Sequence, residues 1–245
     1  MKKYNIGITT FKRRENMLYG LIRTIRSYTN KTIILSVNSE YGEPYDPEYL
    51  KRILLFCSEV GNVIPYFFPT FTSLSKMWNT IIINSDTEHN FIINDDIIIG
   101  DIFNYISDLF TASSLFKVNS SWSHFGISKQ MAIDLNFFDE RLLAYGEEDG
   151  DMTWKYETLF KQKVPNFCLN IRNIQEGYQN NSSKLKQTFV EGYVFRPTFN
   201  REQILKMYVD GGETCGMFGK PMFKNIEDCK QYPYEQFKLD NWANL

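Results

Sequence analysis

Phe91-Ile92-Ile93-Asn94-Asp95-Asp96 is three consecutive apolar residues ended by an amide and two carboxylates. A short continuous apolar run of this kind reads as a strand buried on both faces. Its end is a costly place for two carboxylates unless a cation compensates them. A divalent ion with oxygen ligands is the natural compensator. The plainer reading is a pair of aspartates capping a loop, which is common where strands end.

The residues before this run decide between the two. Tyr4 to Thr9 alternates, with Ile6 and Ile8 on one side, and predicts a first strand. Leu18, Leu21, Ile22 and Ile25 then recur at helical spacing. Ile33, Ile34, Leu35 and Val37 predict a second strand, and Leu50, Ile53, Leu54 and Cys57 a second helix with Pro47 near its start. Val63 to Phe68 reads as a third strand, and Leu74, Met77, Trp78, Ile81 and Ile82 as a third helix face. Strand and helix in strict alternation imply right-handed crossovers and a mostly parallel sheet. Such sheets take their ligands at the carboxyl ends of the strands. The fourth strand, Phe91 to Ile93, delivers Asp95 and Asp96 to that edge.

Beyond Asp96 the pattern is less regular. Phe116 to Asn119 and Phe125 to Ser128 read as short strands, and a helix is expected from about Glu147–Asp151 to Lys161. Arg172 to Lys186 is polar and reads as a mobile loop able to close over a ligand. Arg201 to Tyr208 looks helical. The domain organisation expected is one α/β domain over 1–200, with a helical or irregular extension over 201–245 packed on it.

Two further charged groups stand near the strand ends. Gly146-Glu147-Glu148-Asp149-Gly150-Asp151 puts four carboxylates within six positions, ahead of Met152, Trp154, Tyr156 and Leu159. Acidic residues in a helix's first turn are ordinarily caps and dipole partners. That explains one or two of them, not four. One carboxylate here can serve as a general base toward an acceptor hydroxyl. Phe137-Phe138-Asp139-Glu140 is placed to anchor the segment by burying its rings. The other group is basic. Lys12, Arg13 and Arg14 follow the first strand, where strand gives way to helix and phosphates often bind. His89 and His124 read first as surface or core hydrogen-bonders. Trp122, Trp154 and Trp242 can stack on sugar rings, with Trp154 expected to pack internally.

The bulk numbers set limits. A chain of 245 residues with 43% hydrophobic and 23% charged residues is an ordinary globular protein, long enough to bury a sizeable core. A net charge of −2 and scattered basic residues do not make a nucleic-acid track. Aromatic residues, at 16%, are abundant enough to serve both a core and a ring-binding site. Cys57, Cys168, Cys215 and Cys229 form no C-x-x-C pair, so neither a metal finger nor a redox motif is expected. No membrane-spanning run and no signal-like start are read, and the simplest compartment is the cytoplasm.

Taken together the segments resemble the GT-A fold glycosyltransferases, in particular family 2. Thr9-Thr10-Phe11-Lys12-Arg13-Arg14-Glu15 resembles the first-strand signature of a Thr, an aromatic, a polar residue and Arg. Ser73-Leu74-Ser75-Lys76-Met77-Trp78-Asn79 resembles the helix ahead of the metal motif. Asn94-Asp95-Asp96 stands where that family has D-x-D. Phe138-Asp139-Glu140, Gly146 and Glu148-Asp149-Gly150-Asp151 resemble its F-D-E … G-E-D-x-D stretch. Each motif alone is weak; the order and spacing of all four, over roughly residues 4 to 160, are specific.

The resemblance implies a Rossmann-like, mostly parallel sheet flanked by helices. It implies a nucleotide-sugar donor (a UDP-, GDP- or dTDP-sugar), a glycan or other hydroxyl acceptor, and Mn²⁺ or Mg²⁺. Thr9, Phe11 and Arg13 would border the nucleotide, with Asn38, Ser75, Asn79 and Asn94 on the donor side. Asp95 would assist at the ribose or sugar, and Asp96 would bind the metal. Asp149 would be the base for an inverting transfer, with Glu148 beside it. Two departures stand out. Asn94 replaces the first acid of D-x-D. Val37-Asn38-Ser39 replaces the usual Asp after strand two, leaving Asn38 to read a uracil-like edge. A nucleotidyltransferase on a sugar phosphate would share the sheet and acids. It should also carry a glycine-rich basic loop after strand one, and Thr9 to Glu15 contains no glycine. A non-catalytic carbohydrate-binding domain would not need both acidic groups.

Overall fold

The computed structural model describes residues 2–11, 14–39, 46–140, 142, 146 and 148–174. Strands β1 (Tyr4–Phe11), β2 (Ile33–Asn38), β3 (Val63–Phe67) and β4 (His89–Asn94) alternate with helices α1 (Glu15–Tyr28), α2 (Pro47–Val60) and α3 (Leu74–Asn84). The helices begin where the sequence supplies caps. Asp46 accepts from the backbone N–H of Glu48 (3.0 Å) and Tyr49 (3.1 Å), with Pro47 opening α2, and Ser73 accepts from Lys76 N–H (3.3 Å).

After β4 come β5 (Ile97–Ile99), α4 (Phe103–Ala112), β6 (Leu115–Val118), β7 (Ser121–Ser128), α5 (Lys129–Asp134), α6 (Glu148–Phe160), β8 (Asn166–Phe167) and β9 (Ile171–Asn173). A seven-stranded sheet has the order β3-β2-β1-β4-β7-β6-β8, and β5 pairs with β9 in a separate two-stranded sheet. The first four strands are parallel, whereas β7 runs antiparallel to both β4 and β6. Alternate side chains of the central strands feed two cores. Ile6, Ile8, Leu35, Phe91 and Ile93 meet α1, α2 and α4 on one face. Ile34, Ile92, Phe125 and Ile127 meet Trp78, Ile81, Met152 and Tyr156 of α3 and α6 on the other. Burial on both faces is why these strands read as continuous apolar runs.

The order 3-2-1-4 reverses direction between β1 and β4. That is the topological switch point, where an open α/β sheet leaves a crevice at its carboxyl edge. Register places Thr9 beside Asn94 there.

Some expectations need correction. Arg172 and Asn173 are not loop: they belong to β9, held by pairs Ile97↔Asn173 and Ile98↔Arg172. Trp154 is half-buried rather than internal. Lys12, Arg13, the stretch 175–186, the helix at 201–208, Trp242 and the domain boundary at 200 lie outside the described residues. Among the described residues no helix is long and apolar enough to cross a membrane.

Candidate active site at the sheet's switch point

The ends of β1 and β4 are stitched by side chains. Thr9 Oγ1 donates to Asn94 Oδ1 (3.2 Å), and Thr10 Oγ1 donates to Asp95 Oδ2 (2.7 Å). The chain then turns, with Arg14 N–H bonding to Phe11 C=O (3.3 Å), and α1 begins. This turn aims the Arg14 side chain back into the crevice. Its guanidinium lies 5.0 Å from the centroid of the Phe11 ring. It pairs with Asp95 through Nη1 (2.6 Å) and with Asp96 through Nη2 (2.9 Å). All three groups are buried. Burial pushes the Asp95 carboxyl up to about 7; Arg14 pulls it down, Asp96 pushes it up, and the Thr10 bond pulls it down again. Arg14 is the site residue that the sequence left among three adjacent basic residues.

Asp96 is held from behind, its C=O accepting from Ile174 N–H (2.7 Å) at the end of β9. Its Oδ1 is buried and has no hydrogen-bond partner among the described residues. His124 on β7 lies opposite Ile93 and is fully buried, its two ring nitrogens likewise unpartnered among the described residues. Burial lowers its pKa to about 4 despite the opposing pull of Asp96, so the ring is neutral near pH 7 and gives no compensating charge. It is a core residue beside the site, not a surface hydrogen-bonder. His89 is also buried and packs edge-on against Phe110 (4.7 Å).

The four carboxylates of the second acidic group have separate fates. Glu148 is buried and accepts from Gly146 N–H through Oε2 (2.6 Å), at a backbone φ of 125° that only glycine adopts readily. Asp151 is buried and paired with Lys155 one turn on (2.7 Å), and Lys155 also donates to Phe137 C=O (3.1 Å). Glu147 lies outside the described residues. Asp149 is half-buried, with Oδ1 accepting from the adjacent Gly150 N–H (2.8 Å).

Asp149 is tied to the sheet through one chain of bonds. Its C=O accepts from Thr153 Oγ1 (2.7 Å), and that hydroxyl accepts from Trp122 Nε1 (3.1 Å). Trp122 stands two residues before His124, and β7 runs antiparallel to β4. The start of β7 therefore lies beside the end of β4, and α6 is bonded to β7 there through Thr153.

Other expected site residues are occupied within the protein. Asn38 binds the backbone of Thr72 at both ends of its amide: Nδ2 donates to C=O (2.8 Å) and Oδ1 accepts from N–H (2.9 Å). Asn79 binds Phe138 the same way, accepting from its N–H (3.0 Å) and donating to its C=O (2.9 Å), with a further bond to Glu140 Oε1 (3.0 Å). Ser75 is buried, with no partner for its hydroxyl among the described residues. Phe138 anchors its segment as expected, its ring buried against Trp78 (4.7 Å) and Phe125 (5.6 Å).

Among the described residues no three Asp, Glu, His or Cys side chains converge as a metal cage. The donor set fits another arrangement. Asp96 offers one buried carboxylate oxygen with no hydrogen-bond partner among the described residues, and divalent ions on nucleotides commonly take one or two carboxylates and complete their shell with phosphate and water.

The sequence matches no protein-family model and no curated relative. Solved structures do match. Crystal structures of TarS from S. aureus align over 83% of this chain and 42% of theirs, at 12% identity and a TM-score of 0.52. The present chain thus spans less than half the length of that protein. A shorter TarS structure in complex with UDP aligns over 83% of this chain and 70% of its own, at 10% identity and a TM-score of 0.51. Glucosyl-3-phosphoglycerate synthase from Mycobacterium tuberculosis, in complex with Mn²⁺, UDP and glucosyl-3-phosphoglycerate, aligns over 80% of this chain and 82% of its own, at 10% identity and a TM-score of 0.53. At such identities the likeness is one of architecture, and it agrees with the mostly parallel sheet flanked by helices: the chain has the GT-A fold, an α/β fold shared with these structures.

Proposed function

We propose that this protein is a glycosyltransferase that moves a sugar from a nucleoside-diphosphate donor to an acceptor hydroxyl with inversion. The observation that supports the reading is the Trp122–Thr153–Asp149 chain of bonds, which ties the helix start carrying Asp149 to β7, the strand paired with β4. Since the structural neighbours include complexes with UDP and with Mn²⁺, UDP is the first donor nucleotide to try and Mn²⁺ the first ion.

In this scheme Thr9, Phe11 and Arg13 border the nucleotide, and Asn94 and Asp95 stand beside the donor. Asp96 would hold the divalent ion. When bound, that ion supplies Lewis-acid stabilisation of the charge on the departing diphosphate. The acceptor oxygen forms its bond to the anomeric carbon from the face opposite the diphosphate. The bond from that carbon to the diphosphate oxygen breaks, and the nucleoside diphosphate leaves with the electron pair. The acceptor proton passes to Asp149. Glu148, braced on Gly146, holds the helix start that presents Asp149.

The test is transfer by Asp149→Asn. A positioned base contributes about 10²–10⁴-fold, so turnover should drop by that order while the donor still binds. Transfer at near wild-type rate would remove Asp149 as the base. EDTA should abolish transfer, and full activity in EDTA would remove the ion from the scheme.

A further inference from the structure

Arg14 does something at this site that a phosphate-binding residue waiting for its ligand does not need to do. Two adjacent carboxylates are buried to 1% and 5% exposure at the end of β4. Among the described residues the cation paired with both is Arg14, one nitrogen on each. A divalent ion held by Asp96 would bring a second positive charge to the same buried carboxylate. A dication and a guanidinium a few ångströms apart in a buried site repel each other strongly. They do not share Asp96 without a cost that solvent cannot screen away.

We propose that Arg14 is a resident counter-cation, which neutralises Asp95 and Asp96 in the ion-free protein and which a divalent ion must displace in order to bind Asp96. The proposal rests on the reading of Asp96 as the metal carboxylate. Three features make displacement feasible. Among the described residues Asp96 Oδ1 has no hydrogen-bond partner, whereas Oδ2 is held by Arg14. Arg14 is the N-cap residue of α1 and makes no side-chain cap hydrogen bond, so the helix start does not depend on where its guanidinium lies. The Phe11 ring centroid lies 5.0 Å from the guanidinium and offers it a cation–π partner besides the carboxylates. The arrangement also accounts for Asn94. A chain that supplies its own positive charge here gains less from a third acid.

The experiment is Mn²⁺ binding without nucleotide or sugar, read from the electron paramagnetic resonance signal of free Mn²⁺. Arg14→Gln should bind Mn²⁺ at least roughly tenfold more tightly than wild type, because it no longer has to be displaced (a tenfold change being the effect of one modest charge interaction). Arg14→Lys should tighten binding less, since one ammonium does not bridge both carboxylates. Asp96→Asn in the Arg14→Gln background should abolish the gain. Equal or weaker affinity in Arg14→Gln overturns the displacement while leaving Asp96 as a metal site. Absence of binding in wild type and variants alike overturns both. A gain that survives Asp96→Asn puts the ion elsewhere and overturns the proposal too. Thermal unfolding keeps the test decisive if the glutamine variant is fragile. Mn²⁺ should then raise its Tm more than it raises that of wild type, and an equal rise counts against displacement.

Discussion

Both ends of the Asn79 amide serve one short segment. Phe138 gives its N–H and receives a donor at its C=O, and Glu140 takes another bond. Lys76, one turn earlier on α3, pairs with the other oxygen of Glu140 (3.3 Å). Helix α3 thus holds the Phe138–Glu140 segment, which leads to Gly146 and α6. On this geometry Asn79 fixes the segment ahead of α6, the helix of the proposed base Asp149. Asn79→Ala strands a buried N–H and a buried C=O, and buried groups left unsatisfied cost about 1–3 kcal/mol. Urea unfolding should show a loss of that size. An unchanged midpoint would mean that the Phe138 peptide finds other partners. Asn38 has the same logic on the other side of the crevice, where it pins Thr72 ahead of α3. A side chain read in sequence as a ligand-facing amide is, in the fold, a clamp on the backbone.

At the scale of elements, β7 carries the least visible design. Its Gly126 lies between Phe91 on β4 and Phe116 on β6. A Cβ there would run into the Phe116 ring, and that ring is itself fixed against Phe110 (5.0 Å) and Phe167 (5.7 Å). Gly126→Ala is therefore an overpacking change, costing typically about 1–3 kcal/mol. Chemical denaturation should show that loss, and adding Phe116→Leu should return part of it. Wild-type stability in the single variant would refute the close approach. The contrast with β1 to β4 explains what the sequence made legible. Runs such as Ile33–Val37 and Phe91–Ile93 are buried on both faces, so their composition alone marks them, and Pro47 marks the start of α2. The acidic pair at the edge followed from the same reading. Nothing comparable marks β5, α4, β8 or β9. Their three-residue and two-residue strands exist because long-range pairing makes them, as when Ile171–Asn173 finds Ile97–Ile99. The inward turn of Arg14 was equally hidden, because a basic triplet looks the same whichever member folds back. Nor could spacing tell that Glu148 and Asp151 have partners of their own while Asp149 lies half-exposed.

Across the whole molecule, the site draws on residues far apart in the chain: Thr9, Thr10 and Arg14, then Asn94 to Asp96, then Trp122, and last Asp149 and Thr153. No local unit contains it. A ligand that bridges these parts binds only when β1, β4, β7 and α6 are all in place, so its binding energy should appear as stability of the whole cooperative fold. At a ligand concentration near 100 Kd the gain is about 2.7 kcal/mol. For a domain of about 150–250 residues each kcal/mol moves Tm by roughly 2–4 °C. UDP with Mn²⁺ should therefore raise Tm by roughly 5–10 °C, and comparison with GDP, dTDP and CDP ranks the base. The shift should survive Asp149→Asn, which leaves the donor's contacts intact, and its Mn²⁺-dependent part should vanish in Asp96→Asn. Stabilisation by free glycan with no response to any nucleoside diphosphate would instead describe a carbohydrate-binding domain built on a transferase fold, with the acidic edge held by Arg14 for structure alone.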